Sequence, residues 1–102
     1  MQLMDVTNPS APAALGTAVD GSDFTMLNGA SGVDTFTVGT STYAIIAAQV
    51  DDGVQLIDIS DPSNPVAVGY ATDGEGGFTK LRGATGVDTF ACGSSICAIV
   101  TC

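Results

Sequence analysis

The chain repeats itself. Gln2-Leu3-Met4-Asp5-Val6-Thr7-Asn8-Pro9-Ser10 returns as Gln55-Leu56-Ile57-Asp58-Ile59-Ser60-Asp61-Pro62-Ser63. Gly29-Ala30-Ser31-Gly32-Val33-Asp34-Thr35-Phe36 returns as Gly83-Ala84-Thr85-Gly86-Val87-Asp88-Thr89-Phe90. The offset is 53 in the first block and 54 in the second, so the later copy gains one residue near Gly76-Gly77. Self-similarity at this period marks an architecture built from one supersecondary unit that buries its apolar faces against copies of itself. No other feature narrows the fold as much.

One whole unit is legible as four β-like runs separated by turn residues. Val33–Val38 is the first, followed by a short hairpin connection at Gly39-Thr40-Ser41. Thr42–Ala48 is the second, followed by Asp51-Asp52-Gly53, where Gly53 is available for a positive φ. Val54–Ile59 is the third. Asp61-Pro62-Ser63-Asn64 then reads as a type I turn, with Asp at the first position and Pro at the second. Val66–Ala71 is the fourth, and a Gly-rich stretch from Asp73 to Gly77 leads onward. The second run, Tyr43–Ala48, is apolar on both faces, as is its counterpart Ile96–Val100. Such a strand needs neighbours on both sides of its sheet, whereas a half-exposed strand alternates.

Four antiparallel strands per repeat, with a sheet covered on both faces, predict an all-β chain of about two β-propeller blades, a fragment of a larger propeller. The competing arrangement is an ordinary two-sheet sandwich. The phase divides the chain into residues 1–30, the second half of one unit; 31–83, a complete four-stranded unit; and 84–102, the first half of the next. Met1 aligns with Val54 inside the unit, and no basic region or apolar segment of a secretion signal follows it. The strands expected at each end therefore call for partners: further repeats of the same protein or other copies of this chain.

The segment Gly53-Val54-Gln55-Leu56-Ile57-Asp58-Ile59-Ser60-Asp61-Pro62-Ser63-Asn64-Pro65 resembles the LVIVD repeat, an apolar run ending in Asp followed by a Ser-Asp/Asn-Pro-x-x-Pro turn. Met1–Pro12 carries the same pattern, and these two copies are all that the chain contains. The resemblance implies a β-propeller-like, extracellular or cell-surface protein that acts as a scaffold or as a protein- or glycan-interaction module without enzymatic activity.

Charge and composition exclude several functions. Lys80 and Arg82 are the only basic residues against 11 acidic ones, for a net charge of −9. No cationic surface exists to neutralise nucleic-acid phosphates or anionic lipid. No stretch is long and apolar enough for a helical membrane span. Histidine is absent, which removes His-based triads and His general bases. Gly74-Glu75-Gly76-Gly77 lacks the Lys and Ser/Thr of a phosphate-binding loop. No catalytic or cofactor-binding residues are expected.

Acidic loops raise one alternative. Asp20 and Asp23 occupy the loop equivalent to Asp73 and Glu75, and these four are the candidates for a calcium site. Calcium takes six to eight oxygen ligands, so the loops would have to converge. The simpler reading is turn formation and solubility. The alternative function attached to calcium is a propeller hydrolase or lyase whose site lies in further blades. Asp5, Asp58, Asp34 and Asp88 recur with the repeat and read as structural, their carboxylates bonding local backbone.

Three cysteines lie in the later copy, at Cys92, Cys97 and Cys102, where the earlier copy has Val38, Tyr43 and Ala48. Cys92 and Cys97 flank Gly93-Ser94-Ser95-Ile96, which as a four-residue hairpin loop would place them opposite each other on adjacent strands, and they are candidates for a disulfide in an oxidising compartment; the alternative is small apolar filling. Their spacing matches no zinc signature.

Overall fold

The computed structural model describes all 102 residues and contains no helix. Eight strands form three antiparallel sheets. β1 (Gln2–Asp5) and β2 (Ala13–Thr17) make the first. β3 (Ala30–Val38), β4 (Ser41–Ala48), β5 (Gly53–Asp58) and β6 (Val66–Thr72) make the second, in sequential order. β7 (Gly86–Cys92) and β8 (Ser95–Thr101) make the third. The expected runs are all present, with bounds shifted by a residue or a few. The largest change is at β3, which starts at Ala30 rather than Val33 and carries a register irregularity between Ala30 and Gly32.

The hairpin after β3 is tighter than expected. Val38 pairs with Ser41, leaving Gly39 and Thr40 as a two-residue loop. Gly39 has φ of 61° and Thr40 does not turn positive, the pattern of a type II′ turn, which matches the right-handed twist of the strands. Gly93 repeats this at φ 65° between β7 and β8.

At the β4–β5 turn the residue in the left-handed region is Asp52, with φ of 55°, and not Gly53. Asp is among the few side chains that visit this region. Its conformation is fixed from both sides: the Asp52 carbonyl accepts the Asp73 amide at 2.8 Å, and its Oδ1 accepts the Gly83 amide at 2.7 Å. Gly53 is Gly for a steric reason. A Cβ there would meet the Ala71 carbonyl oxygen and lie 2.8 Å from Met26 Cε.

The core lies on the two faces of β4. Residues Ala44–Ala48 are all buried. Ala44 and Ile46 face one way, into a cluster with Ala18, Leu27 and Ile57. Ile45 and Ala47 face the other, with Val54 and Ala84, flanked by Val87 and Val100. β4 is thus covered on both faces, as its unbroken apolar run requires. Alternation along the strand assigns successive residues to opposite sheets. Burial of Ile57, wholly enclosed, contributes on the order of 2–3 kcal/mol.

The second and third sheets touch chiefly through their first strands. β3 lies beside β7, and Ser31 Oγ donates to the carbonyls of Ala84 and Thr85 at 3.3 and 3.1 Å. Gly32 permits this approach: a Cβ there would lie 2.5 Å from the Thr85 carbonyl oxygen.

Candidate functional site

The recurring acidic and amide side chains build two kinds of connection. The first is local and closes turns. Asp58 Oδ1 accepts the Ser60 amide at 2.9 Å, and Asp5 Oδ1 accepts the Thr7 amide at 2.9 Å. These bonds hold both carboxyls below the usual carboxylate range. Asp61 Oδ1 then accepts the Ser63 amide at 3.1 Å and its hydroxyl at 2.6 Å, and Asn8 does the same for Ser10 at 3.3 and 2.8 Å. This is an Asx turn closing onto the Pro-containing bend. Asp58 and Asp5 therefore play the local role that their repetition indicated.

The second kind spans sheets. Asp34 Oδ2 accepts both the amide and the hydroxyl of Thr89, each at 2.7 Å. The Thr89 hydroxyl, with backbone amides of Thr35 and Thr89, lowers the Asp34 carboxyl from 3.8 to about 2. The expectation that Asp34 bonds only its own neighbourhood is corrected here. Its main partner is 55 residues away because strand one of one unit lies against strand one of the next. Asp88, its counterpart, bonds its immediate neighbour, accepting the Thr89 amide at 3.0 Å.

Gln55 ties the β5–β6 pair to the loop that precedes β3. Only 2% exposed, it accepts the Met26 amide through Oε1 at 3.1 Å and donates through Nε2 to the Gly69 carbonyl at 2.9 Å. Gln2 repeats the second bond, donating to Gly16 at 3.0 Å. The signal for this role was in the sequence: an unchanged Gln at the same place in both copies, inside an otherwise apolar strand. Asp51 completes the set, its Oδ2 accepting the Asn28 amide at 2.9 Å.

The calcium candidates are used differently. Asp20 Oδ1 accepts the Leu27 amide at 3.0 Å, and Asp73 Oδ1 accepts the Leu81 amide at 2.9 Å. Each clamps the base of its own loop. Asp23 and Glu75 are exposed further out on those loops. Asp23 lines a shallow cleft with Phe24, Pro65 and Val66, with no second carboxylate beside it. Nowhere in the chain do three or more carboxylate or thiol side chains gather as a metal-holding group.

Cys92 and Cys97 form a disulfide with Cα atoms 5.9 Å apart. They are not directly opposite. Cys92 faces Ser95 and Cys97 faces Phe90, so the bond runs diagonally, because the loop has two residues rather than four. Cys102 is a free, exposed thiol whose Sγ donates to the Lys80 carbonyl at 2.9 Å.

The main concavity is a groove of about 560 Å³ between the β1–β2 sheet and the face of β3–β4. Ten of its fifteen lining residues are apolar, including Met1, Leu3, Met4, Val33, Ala44 and Ile46. No ionisable side chain reaches it, so it offers apolar surface and an unpaired strand edge rather than acid–base chemistry.

Residues 41–73 match the model of the LVIVD repeat. This segment is similar to the LVIVD repeat. The matched range covers β4, β5 and β6, and with them the Asp58–Ser60 cap, the Asp61 turn and Gln55. No curated protein and no solved structure matches the chain. The LVIVD signature therefore corresponds physically to three consecutive strands plus the hydrogen-bonded bend that sets the third-to-fourth strand register.

Proposed function

We propose that this chain is a section of a β-propeller-type repeat protein that serves, without enzymatic activity, as an extracellular or cell-surface scaffold for a protein or glycan partner. The observation that carries this reading is the lateral placement of successive units. β3 and β7, equivalent strands of consecutive repeats, lie side by side and are joined by Asp34 and Thr89. Units placed with equivalent first strands adjacent fan outward, as blades do around an axis. The use of Asp5, Asp20, Asp34, Asp51, Asp52, Asp58, Asp61 and Asp73 as acceptors for backbone amides supports a structural rather than a catalytic role for the acidic residues. Net charge of −9 directs the exposed surface towards cationic or neutral partners.

The test pairs binding with turnover. Purified protein is screened on a glycan array and against cell surfaces, and assayed against ester, glycosidic and uronate-lyase substrates with and without calcium. Saturable surface or glycan binding without turnover is the expected result. Turnover that depends on calcium and is lost with Asp23→Asn or Glu75→Gln would establish the enzymatic alternative instead.

A further inference from the structure

In the sheet ordered β3-β4-β5-β6, the fourth strand is the outer edge. The repeat itself puts it there. Consecutive units meet at their first strands, β3 and β7, so the fourth strand lies on the far side of the sheet from that seam. Outside its ladder with β5, the backbone of Val66–Thr72 accepts two bonds, from the Glu75 amide to the Thr72 carbonyl and from the Gln55 side chain to the Gly69 carbonyl. β6 holds no charged residue and no proline, the usual guards of an edge strand, and its one register irregularity lies opposite Leu56–Ile57. Val66, Val68 and Tyr70 are 50%, 54% and 57% exposed. Neighbouring units do not close this surface. Val66 lies beside Ser22, Asp23 and Phe24 of the connection from the preceding unit. Tyr70 stands opposite Gln55, which bonds Met26 of the same connection. Both stay exposed with that connection in place. The effect of a following unit is visible at β2, the fourth strand of the preceding unit. There only Gly16 is buried, against Pro62 and Pro65, while Ala13, Leu15 and Thr17 remain exposed.

We propose that the free edge of β6 docks an extended peptide strand with alternating apolar residues and Lys or Arg at its ends. The proposal rests on the scaffold reading above and narrows its partner to this class. An added strand binds through main-chain hydrogen bonds, and its alternate side chains give specificity. The incoming strand takes the unpaired outer row of β6, with its apolar residues against Val66, Val68 and Tyr70. Charge sets the ends. Asp61 precedes β6, Asp73 and Glu75 follow it, and Asp23 lies across the cleft beside Val66. No basic residue lies between Asp61 and Glu75. Cationic ends complement these carboxylates and steer the peptide to the edge. A second copy is disfavoured for the same reason. Pairing β6 with β6, parallel or antiparallel, brings acidic strand ends together between chains that each carry a net charge of −9.

The test uses the full 102-residue chain and a synthetic peptide of alternating Val and Thr with paired Lys at both ends. Titration calorimetry reads affinity, and NMR-detected hydrogen exchange of the β6 amides reads docking on the edge. The expected result is saturable binding with slowed exchange at β6. Affinity should fall about tenfold or more when Glu replaces Lys in the peptide. It should be lost when the peptide is N-methylated along the edge that faces β6, and kept when the other edge is methylated. Val68→Lys, at an exposed position, sets a charged guard on the strand and should weaken binding about tenfold or more. Unchanged exchange of the β4 amides in that variant shows that the fold is intact. Absence of binding, binding indifferent to N-methylation, or binding that leaves β6 exchange unaltered overturns the proposal. So does β6 protection that grows with protein concentration without peptide, which would make a second copy the occupant. Any of these results alongside saturable glycan or cell-surface binding leaves the scaffold reading standing. Turnover without any such binding overturns both.

Discussion

The Asp34 carboxylate takes both the amide and the hydroxyl proton of Thr89, at 2.7 Å each, across the seam between consecutive repeat units. Because the bonds stabilise the charged form, the folded carboxyl titrates near 2 instead of 3.8. Between these values the unfolded chain binds more protons than the folded one. Stability from this contact is therefore complete above the unfolded value and is lost as pH falls through about 2. Thr89→Val should return the Asp34 titration towards 3.8, measured by NMR of the carboxyl carbon. It should also move acid unfolding to higher pH. An unchanged titration in that variant would show that the Thr89 hydroxyl is not the main cause.

Gln55 offers the clearest stability test. Its amide is buried and bridges the Met26 amide to the Gly69 carbonyl. Gln55→Leu keeps much of the volume but orphans both backbone groups, a loss of about 1–3 kcal/mol. Gln2→Leu, at an exposed position with a single set of carbonyl contacts, should lose less than about 1 kcal/mol. Urea unfolding of the two variants would read the difference.

Gly53 should resist any side chain. Its added Cβ would collide with backbone at Ala71 and Thr72, which cannot move without breaking the β5–β6 ladder. Gly53→Ala is expected to cost about 1–3 kcal/mol by overpacking. Gly69→Ala, where a Cβ would meet nothing within 4 Å, should change thermal stability little. A thermal melt of each variant distinguishes a packing requirement from a general preference for glycine.

Calcium should leave the melting temperature unchanged. Asp20 and Asp73 are engaged with Leu27 and Leu81, and no group of three carboxylates exists. The measurement is sensitive: a ligand at a hundred times its dissociation constant adds about 2.7 kcal/mol. For a domain of this size, about 4–8 °C per kcal/mol follows. A rise of several degrees at millimolar calcium would reverse this expectation.

Local chemistry was readable from sequence wherever a residue's partner lies within a few positions. The Asp58–Ser60 cap, the Asp61 turn and the two-faced burial of β4 all follow from short-range spacing and apolar pattern. Longer-range relations were less legible. Nothing in the spacing of Asp34 and Thr89 says that they meet, since that depends on how one sheet is placed against the next. At Asp52 the turn was recognised, but the positive φ was assigned to Gly53. Glycine permits that conformation, but here the steric demand of Ala71 and Met26 called for glycine one residue later. The diagonal Cys92–Cys97 bond differed from the expected opposite pair because the loop length set the register.

The two loop clamps differ in one respect. Asp20 grips Leu27 seven residues on, while Asp73 grips Leu81 eight residues on. The closing turns, Gly21 to Phe24 and Gly74 to Phe78, differ by the same single residue. The extra residue is taken up inside the loop that the grip closes, at Gly76 and Gly77, both with positive φ. Insertions at this loop are thereby insulated from the sheets on either side. Across an array of such repeats, this is a place where one copy can diverge from the next without altering how the copies stack, and so a natural position for individuality in an otherwise uniform structure.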